Sequence, residues 1–187
     1  MCNTPNLFTF ARILLIPIII FAIHFQFYVI ALSIAIFAVL TDYLDGWLAR
    51  KLAQTSTLGS LLDPVADKFF EIFLLGYLLN FYEEKLFLTY FVLMTLRNCL
   101  QLSVFPVLMW WKKISFKVRP MLPAKIATGF GMAIVLVMIV NLDLQQYTLT
   151  FVMRSLFVLG IGLEVYMLVT FIPRYWLIYH GRHDTFI

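Results

Sequence analysis

Apolar residues occupy this chain in long unbroken stretches separated by short polar clusters. An α-helix needs roughly 20 residues to cross a bilayer. The stretches therefore predict six membrane helices, at 5–23, 28–52, 58–80, 86–111, 124–141 and 149–178. Asn3-Thr4-Pro5 supplies a start signal for the first, since Asn3 or Thr4 can cap it and Pro5 loses nothing in a first turn. Gly160 and Gly162 permit close packing or a bend inside the last. Six spans consume most of the 187 residues, so the chain reads as a single all-α integral membrane domain, 1–187.

Composition sharpens this picture. Hydrophobic residues make up 63% and charged residues 13%, against about 45–50% and 25% in soluble domains. Too little polar surface remains for an independent soluble domain. Cys2 and Cys99 do not suggest a disulfide framework. The connectors alternate in charge: 24–27, 80–85 and 141–147 hold Glu83, Glu84 and Asp143 against Lys85 alone. Arg50 and Lys51, then Lys112, Lys113, Lys117, Arg119 and Lys125, then Arg174 and Arg182 mark the opposite side. The positive-inside rule places these basic connectors and both termini in the cytoplasm. The net charge of +4 follows from topology and suits anionic headgroups or phosphates, not nucleic acid.

Candidate chemistry lies in four aspartates near that basic side, Asp42 and Asp45 on the second helix and Asp63 and Asp67 on the third. Spacings of three and four put each pair on one helix face. The short connector makes the two helices neighbours, so all four acids can converge. A carboxylate at the bilayer centre costs at least about 2.5–3.5 kcal/mol on insertion scales. Four together require neutralisation, and an all-oxygen donor set selects hard divalent cations. Gly46, Ala49 and Gly59 leave room for a bulky group, and Arg50 can pair with phosphate. The combination suits a metal-bound pyrophosphate. A cation channel or transporter would instead spread its acids through the membrane depth, often with an internal repeat, and neither feature is present.

The run Asp42-x2-Asp45-Gly46-x2-Ala49-Arg50-x8-Gly59-x3-Asp63-x3-Asp67 resembles, without gap or substitution, the signature of the CDP-alcohol phosphotransferase family. Pro5-Asn6-x2-Thr9-x2-Arg12 is similar to its N-terminal element, and Asp63-Pro64-Val65-Ala66-Asp67-Lys68 to its bacterial lipid-synthesising branch. Pro120-x4-Lys125-x2-Thr128 resembles its entry to the fifth helix. The resemblance implies a six-helix homodimeric enzyme in the bacterial inner membrane, open to the cytoplasm, that transfers a phosphoalcohol from a CDP-alcohol and releases CMP. It implies Asp42, Asp45, Asp63 and Asp67 as ligands of Mg²⁺ or Mn²⁺, two ions in all, with Asp67 also the general base. Thr41, Gly46, Ala49, Arg50 and Gly59 would form the CDP site.

The branch points to CDP-diacylglycerol as donor and glycerol 3-phosphate as acceptor, giving phosphatidylglycerophosphate. Phosphatidylglycerol as acceptor, giving cardiolipin, is the alternative. Arg97, Arg119 and Lys125 are candidates for an acceptor phosphate, and Asn6, Thr9 and Arg12 for a lipid headgroup or an N-terminal element. The phosphatidylglycerophosphate branch usually carries Arg-Glu in the fourth helix, where this chain has Arg97-Asn98. Arg97, Glu71 and Glu164 fall within apolar stretches, so each needs an interior partner or a hydrated cavity.

Overall fold

The computed structural model describes residues 4–52, 59–106 and 122–180. Six helices result: α1 Thr4–His24, α2 Tyr28–Leu52, α3 Gly59–Leu78, α4 Lys85–Pro106, α5 Leu122–Leu144 and α6 Tyr147–Tyr179. The ends match the hydropathy pattern to within a few residues, and the expected continuation of α4 to 111 lies outside the described residues. The regions Lys85–Ser103, Ile126–Leu144 and Tyr147–Pro173 are long and apolar enough to cross a membrane, while Arg12–His24 and Tyr28–Thr41 are shorter apolar stretches.

Packing divides the bundle into two compartments. The pairs α1·α2, α2·α5, α5·α3 and α3·α1 close one four-helix circuit, and α3·α4, α4·α6, α6·α5 and α5·α3 close the other. Helices α3 and α5 form the shared wall. Between α1 and α2, Ala22, Ala31, Ala35 and Ala38 are buried, and small side chains let membrane helices approach closely. Large apolar residues such as Leu14, Phe21, Phe37, Phe151 and Leu159 are exposed, as expected of surfaces that face lipid.

Two of the connectors have tight endings. Gln26 adopts a left-handed backbone with φ of 61°; its N–H reaches Ile23 O at 3.0 Å, and that of Phe27 reaches Ala22 O at 2.8 Å. This paired closure satisfies the last carbonyls of α1 and reverses the chain into α2. Gln145, with φ of 47°, closes α5 through its N–H to Asn141 O. Between α3 and α4, the Tyr82 hydroxyl donates to Met138 O on α5 at 2.9 Å. Glu84 accepts three hydrogen bonds from the Arg154 guanidinium of α6, at 3.1, 3.3 and 2.9 Å. The Glu83–Glu84 end of the molecule is thereby stitched together.

Candidate active site

The aspartate motif spans the later turns of α2 and the early turns of α3. Asp42 and Asp45 lie two to three turns before the end of α2, and Asp63 and Asp67 lie one to two turns into α3. Both stretches belong to the end opposite the α1–α2, α3–α4 and α5–α6 connectors. Helices α1 and α5 each pack against both α2 and α3, so the first compartment links the two halves of the motif. The side chains of Asn6, Thr9, Asp42, Asp45, Gly46, Ala49, Arg50, Gly59, Asp63 and Lys125 lie outside the described set, as does residue Arg119 altogether.

Asp67 is described, and it looks into the first compartment. Its Oδ1 accepts a hydrogen bond from Arg12 Nη1 across the α1–α3 contact, with Arg12 buried and Asp67 half-buried. Arg12, expected near a lipid headgroup or in an N-terminal element, is therefore also an interior partner of the motif's last aspartate. Beside it, Ala38, Val39, Phe70 and Met132 line a small apolar cavity that includes Arg12. The hydroxyl of Thr41, expected at the edge of a nucleotide site, donates to Phe37 O and Ala38 O of its own helix at 3.0 and 2.9 Å. Its lone pairs remain the part that can meet a ligand.

The second compartment holds a buried ionic cluster. Glu71, Arg97, Asn98 and Glu164 are each 1% exposed or less. Arg97 Nε lies 2.7 Å from Glu164 Oε2, although its N–H is not aligned on that oxygen, and Nη2 lies 3.8 Å from Glu71 Oε2. Asn98 Nδ2 donates to the same Glu71 oxygen at 3.1 Å. One guanidinium thus serves two carboxylates. This placement gives Arg97, a candidate for an acceptor phosphate, two carboxylate neighbours inside the bundle. It also explains why Asn98 suits this chain: a glutamate there would set another carboxylate against Glu71.

Glycines make room for the cluster. A Cβ at Gly131 would overlap Glu71 Oε1 and stand 3.2 Å from the Tyr90 hydroxyl oxygen. A Cβ at Gly160 would stand 2.7 Å from the Tyr90 ring, whereas Gly129 and Gly162 face open space. Gly131→Ala should therefore lower stability by about 1–3 kcal/mol through overpacking. Gly129→Ala should leave it nearly unchanged. Thermal unfolding of both variants in one detergent checks the contrast, and equal melting temperatures would contradict it.

Sequence reasoning assigned no role to Lys68 or Gln101. The Lys68 ammonium donates to Gln101 Oε1 at 2.6 Å, joining α3 to α4 beside Asp67. A lysine in the residue following the last motif aspartate was the available signal.

The chemistry of the four-carboxylate motif fits a hard divalent cation: oxygen donors only, at helical spacing. Among the described residues, no group of three or more His, Cys, Asp or Glu converges on a metal position. Three of the motif's acids fall outside the described side chains.

A motif of this kind on a membrane helix bundle defines a class, and the family model for CDP-alcohol phosphatidyltransferase matches residues 2–177. The chain belongs to that family. Among its curated relatives, proteins named CDP-diacylglycerol--glycerol-3-phosphate 3-phosphatidyltransferase recur. The one from Aquifex aeolicus is 40% identical over 84 residues, covering 45% of this chain and 47% of that protein. The one from Pseudomonas fluorescens is 51% identical over 69 residues, covering 35% of each. The one from Pectobacterium atrosepticum is 44% identical over 69 residues, covering 35% of this chain and 38% of that protein. The chain thus matches less than half the length of these relatives.

Proposed function

We propose that this protein transfers the phosphatidyl group of CDP-diacylglycerol to glycerol 3-phosphate, forming phosphatidylglycerophosphate and CMP. The observation that carries the reading is the complete aspartate motif, divided between α2 and α3 at one end of the bundle in a chain of this family. The relatives' names support the choice of donor and acceptor. Residues 1–187 act as one domain with six spans, both termini in the cytoplasm. It works as a homodimer in the bacterial inner membrane.

Asp42, Asp45, Asp63 and Asp67 would hold the divalent ions, Mg²⁺ or Mn²⁺. Such ions neutralise the pyrophosphate and stabilise charge on the departing oxygen. Thr41, Gly46, Ala49, Arg50 and Gly59 hold the cytidine diphosphate, the glycines and alanine by leaving space and Arg50 by charge. Asp67 accepts the proton of the acceptor hydroxyl, whose oxygen attacks the phosphorus that carries diacylglycerol. The bond from that phosphorus to the bridging oxygen of CMP breaks, and CMP departs with the electron pair. Arg12 steadies Asp67 throughout, because its guanidinium fixes one carboxylate oxygen on the α1 side. Arg119 and Lys125 would draw in a phosphorylated acceptor through their positive charge.

The deciding experiment measures CMP release by the purified protein from CDP-diacylglycerol with glycerol 3-phosphate, phosphatidylglycerol, inositol phosphate or no acceptor. Glycerol 3-phosphate should give the fastest release. Preference for phosphatidylglycerol would make the protein a cardiolipin synthase. EDTA should abolish turnover and added Mg²⁺ or Mn²⁺ should restore it, because a pyrophosphate cannot share a low-dielectric cleft with four carboxylates unaided. Full turnover in rigorously metal-free protein would remove this mechanism.

A further inference from the structure

Three described interior or half-buried cations lie on α1, α3 and α4, and they differ in their partners. Arg12 meets Asp67, and Arg97 meets Glu164 and Glu71. Lys68 instead donates to the neutral amide oxygen of Gln101, and among the described residues no carboxylate lies within ion-pair distance of it. Glu71, one turn further along α3, accepts a hydrogen bond from Asn98 and lies against the bare backbone of Gly131. A half-buried ammonium has three N–H donors, and Gln101 takes one. The remaining two are suited to an anionic ligand.

Position identifies the anion. Lys68 adjoins Asp67 in the chain, and Gln101 stands one turn beyond Arg97 on α4, nearer the basic end of the bundle. The ammonium is therefore nearer the basic end than the buried ionic cluster, on the α4 side of the helix that carries Asp67. An acceptor whose hydroxyl lies at Asp67 brings its own phosphate to the neighbouring helix surface, separated by a short carbon skeleton. We propose that Lys68, held by Gln101, binds the phosphate of the acceptor alcohol. This assignment rests on the phosphatidyltransferase reading. It replaces Arg97, whose charge is spent internally, with a cation that has donors to give. Gln101 is a positioning residue: its amide oxygen holds the flexible lysine stem on the α4 side.

The test compares wild type, Lys68→Gln, Lys68→Arg and Gln101→Leu in lipid nanodiscs with Mg²⁺. Calorimetry measures binding of glycerol 3-phosphate and, separately, of CDP; steady-state CMP release supplies KM for each substrate. Losing one charged phosphate contact should weaken glycerol 3-phosphate binding and raise its KM by about 10- to 100-fold in Lys68→Gln. CDP binding and the KM for CDP-diacylglycerol should stay within about twofold. Lys68→Arg should recover most of the loss. Gln101→Leu should raise the acceptor KM by a smaller factor without changing kcat. Equal loss for both substrates in Lys68→Gln and Lys68→Arg would overturn the assignment and make Lys68 a packing or nucleotide residue. Unchanged glycerol 3-phosphate binding in Lys68→Gln would also overturn it, even with wild-type turnover intact. Wild-type protein that binds glycerol 3-phosphate through Lys68 but never releases CMP would instead overturn the transferase reading. If phosphatidylglycerol is the working acceptor, its phosphodiester takes the same place, and the KM for that lipid must move in Lys68→Gln.

Discussion

Asp67→Asn should retain most CDP-diacylglycerol binding and lose turnover by about 10²-fold or more. The two side chains have nearly the same shape, and the asparagine oxygen can still accept the hydrogen bond that Arg12 gives to Asp67. The α1–α3 contact therefore survives, and with it the first compartment. What disappears is a carboxylate able to take the acceptor's proton. Asp42→Ala and Asp63→Ala should behave differently, weakening metal and nucleotide binding together. Calorimetric titration with CDP, paired with single-turnover CMP release, separates these outcomes. Normal turnover in Asp67→Asn would show that the proton goes elsewhere.

Arg97→Met should be the most destabilising of the single changes considered, by about 3–5 kcal/mol. Glu71 and Glu164 are fully buried, and this guanidinium is the cation that faces both. Without it two carboxylates remain buried, one supported by Asn98. Adding Glu71→Gln and Glu164→Gln to Arg97→Met should recover most of the loss, because the neutral triad leaves no stranded charge. Melting in detergent measures the series, and the strong non-additivity is the informative result. A single variant that melts like wild type but shows a raised acceptor KM would return Arg97 to the substrate site.

The six helices were legible because long apolar stretches and polar breaks carry length and position directly. The facing of each helix was not. Membrane helices are apolar all round, so periodicity does not reveal which side turns inward: α6 exposes Val158, Leu159 and Val165 while burying Phe157 and Glu164. The need of Arg97, Glu71 and Glu164 for partners was plain from their surroundings. Which partner Glu164 would find depended on α4 packing on α6, a contact between segments distant in the chain. The aspartate motif was readable as a spacing, and the structure sets its last member against Arg12. Lys68 was legible only as the end of the Asp63–Lys68 run, because its pairing with Gln101 is a tertiary event.

Helix α3 carries Asp63, Asp67, Lys68 and Glu71 within 20 residues. Each charge at the bilayer centre opposes partitioning by several kcal/mol, so this segment is a poor candidate for leaving the translocon into lipid by itself. Its relief comes from other segments: Arg12 arrives earlier on α1, while Gln101, Arg97 and Asn98 are synthesised later on α4. Biogenesis is consequently coupled to tertiary structure. If α3 spans the membrane as proposed, it gains these partners only as α1 packs on one side of it and α4 on the other, so its insertion and its packing are expected to occur together.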